Sequence, residues 1–206
     1  MGKHANSIDS QILKRIQRRR AGHVFTPADF LDLGSRNAVD LALSRHARRG
    51  TIRKIARGLY DFPRVDPRLG LLSPAMDDIA TALKGRDQSR LQPAGAHAAN
   101  VLGLSTQVPV RVVFLTDGRS RRVQLGKQHI VIKHTTPRQM ATAGRSSGTV
   151  IQALRWLGQR NVNDATIATL RRRLSAADKR QLLKDLRYAP AWIADIFRAV
   201  ARSGRA

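Results

Sequence analysis

Residues 25–64 constrain the fold of this chain more than any other stretch. Thr26-Pro27 is a capping residue followed by proline at a first helical position, and it starts a short helix whose apolar residues Phe30, Leu31 and Leu33 stop at Gly34. Ser35 then caps a longer helix. Val39, Ala42, Leu43, His46 and Ala47 form its inward stripe, while Asn37, Leu41, Ser44, Arg45 and Arg48 fall on the opposite face. Arg49-Gly50 ends it. Residues 51–55 and 59–62 read as strands around Arg57-Gly58, where a tight hairpin needs a residue tolerating positive φ. Upstream, Ile8, Ile12, Leu13 and Ile16 share one face of a helix expected from Ser7 or Asp9 to Arg20, with Gly22 ending it. Helix, helix-turn-helix and basic hairpin in that order predict a winged helix over residues 1–70.

Pro63, Pro67, Gly70 and Pro74 punctuate what reads as a linker. A second, larger α+β domain is expected over residues 71–206, beginning near Ser73. Its first helices fall at residues 75–84 and 94–102. Residues 110–116 are nearly all apolar and β-branched, the pattern of a strand buried on both faces. Asp117-Gly118 is a turn, and residues 122–125 and 129–134 are strands around Gly126-Lys127. From Thr149 the periodicity is helical to the end, with stripes through Val150, Ile151, Leu154 and Leu157, then Ile167, Leu170 and Leu174, then Leu182, Leu183 and Leu186. Trp192, Ile193, Ile196, Phe197 and Val200 form the last stripe, which makes Trp192 and Phe197 core residues rather than stacking platforms.

The chain carries 38 Lys and Arg against 14 acidic residues, a net charge of +24, and every acid is Asp. Residues 1–70 hold +9 of this and residues 71–206 hold +15, so neither part is a neutral domain with a basic tail. A folded chain this cationic calls for a polyanionic partner: nucleic acid, an acidic protein or an anionic membrane. No apolar run approaches the roughly 20 residues that span a bilayer. The amino terminus, Met1 to Asp9, lacks a signal peptide's apolar stretch, so a cytoplasmic location is expected.

The longer helix of the expected winged helix carries the strongest candidate site. Ser35, Arg36 and Asn37 at its start are short or forked enough to reach base edges, Arg pairing with guanine and Asn with adenine. Ser44, Arg45 and Arg48 follow on the same helix, and Arg53, Lys54 and Arg57 on the hairpin are placed for phosphates. A merely solvated polar face, or an edge strand protected by charge, would use the same residue types. Further candidate cations are Arg119, Arg121 and Arg122 beside a turn, Arg171, Arg172 and Arg173 at a helix end, and the stripe Arg180, Lys184 and Arg187.

Little points to catalysis. There is no Cys, no Glu and no phosphate-binding loop, and the Asp residues do not cluster. His129 and His134, five apart on one expected strand, face opposite sides and cannot share a metal. No cofactor is expected.

The helix-turn-helix, then Gly50 to Tyr60 (Gly-Thr-Ile-Arg-Lys-Ile-Ala-Arg-Gly-Leu-Tyr), then Pro93 to Pro109 (Pro-Ala-Gly-Ala-His-Ala-Ala-Asn-Val-Leu-Gly-Leu-Ser-Thr-Gln-Val-Pro), resemble in order the AbiE-type antitoxins of bacterial type IV toxin–antitoxin pairs. The resemblance spans roughly residues 8–200. Its most specific parts are Arg57-Gly58-Leu59-Tyr60 and Leu102-Gly103-Leu104-Ser105 followed by Leu115-Thr116-Asp117-Gly118. It implies a protein that binds inverted repeats in its own promoter, as monomer or dimer, represses the operon, and opposes a nucleotidyltransferase-type toxin. Two other readings fit the charge: a module that neutralises an acidic toxin directly, and an RNA-binding protein.

Overall fold

A computed structural model describes residues 7–85 and 89–202; the amino-terminal residues 1–6 lie outside them. The fold is mixed α+β, with eight α-helices and three small sheets among the described residues. It divides into two compact units, Met1–Asp87 and Gln88–Ala206.

In the first unit, α1 (Ile8–Gln17) begins where the Ser7 hydroxyl accepts a hydrogen bond from the Ser10 amide, and it buries Ile12 and Ile16. The short helix expected after Thr26 is a single 3-10 turn, Pro27–Phe30, capped by the Asp29 carboxylate, which accepts from the Thr26 amide at 2.7 Å. Then come α2 (Arg36–Arg48), β2 (Arg53–Ala56) and β3 (Leu59–Asp61). With β1 (Val24–Phe25), these strands make an antiparallel sheet of order β1-β3-β2. Phe25 meets Phe30 edge-on at 5.5 Å and stacks over Tyr60 at 6.2 Å, joining the sheet to Ile12, Val39, Leu43 and Ile52 in one core.

The expected linker is a second hairpin, β4 (Arg64–Asp66) paired with β5 (Gly70–Leu72). Its turn is closed by the Asp66 carboxylate, which accepts the Arg68 and Leu69 amides at 2.8 and 2.9 Å, so the proline and glycine mark a tip rather than a tether. The domain boundary moves accordingly: α3 (Met76–Lys84) belongs to the first unit, where it packs beside β1, and the division falls after residue 87 rather than after residue 70.

The second unit holds a four-stranded sheet of order β6-β7-β9-β8, from β6 (Leu91–Ala94), β7 (Arg111–Thr116), β8 (Arg121–Leu125) and β9 (Gln128–His134). The hairpin after β7 folds back so that β9 inserts parallel to β7 and leaves β8 at the edge. Val112, Phe114, Ile130 and Ile132 are buried. Alanines 98 and 99 of α4 (Gly95–Val101) let that helix lie close to α5 (Ser146–Leu157). Three further helices, α6 (Asp164–Arg173), α7 (Ala176–Lys184) and α8 (Ala191–Ala201), close a core through Leu154, Leu170, Leu182, Ile193 and Phe197. Phe197 is fully buried and Trp192 packs against this core, as its stripe predicts; Leu183, expected on a buried stripe, is exposed.

The segments that carry the family resemblance have structural work to do. Asp117 accepts the Arg90 amide at 2.7 Å and its guanidinium at 2.8 Å, which holds the carboxyl below the usual range and ties the end of β7 to the start of β6. Gly103 adopts φ +70° with the Arg173 guanidinium lying against it, so a side chain there would be strained and crowded.

Candidate nucleic-acid interface

Helix α2 forms because Ser35 caps it, its hydroxyl accepting the Ala38 amide, and because Val39, Ala42, Leu43 and His46 recur at helical spacing. Those residues are buried in the first unit's core, which turns the opposite face to solvent. His46 is also latched to α1: its Nε2 lies 3.1 Å from the Asp9 carbonyl oxygen and 3.4 Å from the Asp9 carboxylate. The outward face is thereby fixed in angle as well as exposed.

Asn37, Leu41, Ser44, Arg45 and Arg48 all lie on that exposed face. Arg36 is exposed too, but its Nε donates to Asp40 one turn on at 2.9 Å. Such an exposed i,i+4 pair is worth about 0.3–0.5 kcal/mol, so an incoming phosphate or guanine can displace it cheaply.

The hairpin cations separate into two kinds. Lys54 and Arg57 are exposed, Arg57 at the two-residue tip beside Gly58, whose φ is +68°. Arg53 is instead committed inside the protein. Its guanidinium donates twice to Asp61, which is wholly buried, and once to the Leu72 carbonyl at 2.9 Å. The hydrogen bonds to Asp61 push its pKa further above an ordinary arginine's. Arg53 belongs to the sheet's framework rather than to a phosphate-contacting set.

The second unit disperses the other expected clusters. Arg121 and Arg122, adjacent on β8, point to opposite faces of the sheet, and Arg119 lies in the exposed turn before it. Arg122 shares a face with Arg111, His129 and Lys133, because Val131 pairs with Arg122 and His129 pairs with Arg111. Among residues 171–173, Arg171 donates to the Ala199 carbonyl near the end of α8, Arg173 covers Gly103, and Arg172 is exposed. Arg180 and Lys184 lie exposed on α7, while Arg187 sits 4.9 Å over the Tyr188 ring. His129 and His134 stand at opposite ends of β9, and His134 Nδ1 is 2.9 Å from the Gly118 carbonyl oxygen.

A polar network went unseen in the sequence. Asp185, buried at the end of α7, accepts from Arg145 at 2.6 Å, from the Ser147 hydroxyl and from Gln181 at 2.8 Å, pinning the start of α5 to α7. The farthest of its donors, Arg145, lies forty residues away along the chain. No helix among the described residues is long and apolar enough to cross a membrane.

No curated protein matches the sequence. The structure is similar to the crystal structure of the RV2827C protein from Mycobacterium tuberculosis, with a TM-score of 0.47 and 15% identity over 97% of this chain and 83% of that one, too loose a likeness to carry fold or function. Residues 11–182 match the family of unknown function DUF6088, and the chain belongs to that family.

Proposed function

We propose that the first unit is a winged helix that reads duplex DNA through α2, and that the protein is a cytoplasmic antitoxin repressing its own operon. One observation carries the DNA reading: the face of α2 that holds Asn37, Ser44, Arg45 and Arg48 is exposed, while the opposite face is locked into the core by Val39, Leu43 and His46. The element order is in keeping with it, a helix, a short strand, a turn and a second helix leading into a hairpin in a sheet of order β1-β3-β2. In the docked complex Arg36 and Asn37 meet base edges near the start of α2, and exposed Leu41 suits a thymine methyl. Lys54 and Arg57 grip the flanking backbone. The antitoxin role, the inverted-repeat operator and the nucleotidyltransferase-type toxin rest on the resemblance to AbiE-type antitoxins, which itself stands as part of this proposal.

Gel shifts with operator and scrambled duplexes test the reader assignment. Asn37→Ala should relax the choice of site by about 1–3 kcal/mol, and Arg57→Ala should weaken both duplexes alike and lower the salt slope by about one. Equal losses on both duplexes for both variants would remove α2 as the reader.

A second reading, direct neutralisation of an acidic toxin, draws on the exposed cations Arg122, Arg172, Arg180 and Lys184 of the second unit. Co-expression with the neighbouring gene product separates the two. A complex stable through gel filtration favours direct neutralisation, and independent elution favours opposition without contact.

A further inference from the structure

A second cationic feature lies in a concave place rather than on an open face. The turn segment between β9 and α5, the α5 surface and the residues leading into α8 enclose a cleft of about 370 Å³ within the second unit. Arg138 enters from the turn segment and Arg155 from α5. Both are exposed, and neither has an ion pair or side-chain hydrogen bond among the described residues. Thr136, Gln139 and Gln152 add hydroxyl and amide groups, and Ile151, Ala189 and Pro190 supply apolar wall. Tyr188, also in the lining, carries Arg187 on its ring.

Among the described residues no carboxylate lines this cleft, and the acid close by in sequence, Asp185, is occupied by Arg145, Ser147 and Gln181. The first unit offers an internal control. Its own cleft of about 340 Å³ also has arginines, Arg15 and Arg19, but Asp29 and Asp78 stand in the same lining. Arg15 there is clamped to Asp32 at 2.7 Å. One cleft is balanced; the other is a concave site with two unpaired guanidinium forks.

We propose that the cleft between Arg138 and Arg155 binds the phosphate of a nucleotide, either free or at the end of a nucleic-acid strand. Two guanidinium groups match phosphate oxygens in charge and geometry. The volume suits one compact ligand and excludes a helix or a duplex. Gln152 offers a donor and an acceptor, as a base edge requires, Gln139 adds its amide N–H groups while its oxygen accepts from the Thr135 hydroxyl at 3.0 Å, and the apolar wall covers a ring face. This site is independent of α2 and stands whether or not the first unit reads DNA.

Isothermal titration of the full chain tests it, with adenosine 5′-monophosphate, adenosine, and a trinucleotide with and without a 5′-phosphate as probes. The monophosphate should saturate at one per chain and adenosine should bind at least about tenfold more weakly. Arg138→Gln and Arg155→Gln should each weaken the monophosphate by about tenfold or more, the usual cost of losing a charge-assisted hydrogen bond. Because both side chains are exposed and unpartnered, the variants should keep the wild-type melting temperature. Arg172→Gln, an equal change of net charge at an exposed site elsewhere in the second unit, should change binding by less than about twofold. A phosphorylated trinucleotide at least about tenfold tighter than the monophosphate identifies a strand end as the source; equal or weaker binding identifies the free nucleotide. Adenosine binding as well as its monophosphate, Arg172→Gln costing as much as Arg155→Gln, or no saturation at millimolar ligand would each overturn the proposal.

Discussion

Replacing Arg53 with alanine should destabilise the first unit by about 3 kcal/mol, whereas the same change at Arg57, four residues away, should cost less than about 0.5 kcal/mol. The difference follows from what each guanidinium touches. Arg53 donates to Asp61 at 3.0 Å, to the same carboxylate through a second, shorter bond, and to the Leu72 carbonyl at 2.9 Å. Asp61 is wholly buried, so truncating Arg53 strands a carboxylate away from water. Removing one partner of a buried pair costs about 3–5 kcal/mol. The Arg53 side chain is itself 27% exposed, so some water reaches the site and the lower end applies. Tryptophan fluorescence is blind here, because Trp156 and Trp192 both lie in the second unit. Hydrogen exchange at the Leu59 and Tyr60 amides reports directly, and about 3 kcal/mol should speed it about a hundredfold. Changing both partners together, Arg53→Met with Asp61→Leu, should recover most of the loss. Acceleration below about fivefold in Arg53→Ala, equivalent to about 1 kcal/mol, would refute the structural assignment of Arg53.

Other consequences are local. Gly148→Ala should cost about 1–3 kcal/mol in thermal unfolding, because its Cβ would clash with the Gln92 side-chain oxygen and fall 2.5 Å from the Thr142 carbonyl oxygen, where the backbone cannot yield. His23 is held below its ordinary pKa, first by burial and then by Arg19. The unfolded chain therefore takes up the proton more readily. The stability His23 contributes is full above about pH 6.5 and is lost as the pH falls through its lowered folded value. Comparing denaturant unfolding at pH 7.5 and pH 5 should show a smaller acid loss in His23→Gln than in the wild type; identical losses would rule this out.

How much of this was legible depended on whether the signal was local. The caps Ser7 and Ser35, the stripes of α1 and α2 and the Arg57-Gly58 tip are each written within a few residues, and the elements formed there. The segment with Pro67 and Gly70 misled, because turn residues mark a linker and a hairpin alike and the strands beside them are three residues each. Strand β6 was invisible for a related reason: it contains Pro93, tolerated only because β6 is an edge strand. The role of Arg53 turned on a single residue. A regular hairpin closing at Arg57-Gly58 would set Arg53 opposite Phe62; the irregularity between Lys54 and Ala56 shifts the register and sets it opposite Asp61. No local pattern predicts such a bulge. Arginines 171–173 scatter because successive helical residues point about 100° apart. The pairing of Arg138 with Arg155 across a cleft needs the tertiary fold.

Footprinting of the purified protein on the DNA immediately upstream of its own coding sequence tests the central claim most directly. A bounded, protected inverted repeat is expected, with protection lost in Asn37→Ala at concentrations that still coat non-specific DNA. Even coating without boundaries, or a footprint indifferent to Asn37, would contradict a reading helix at α2.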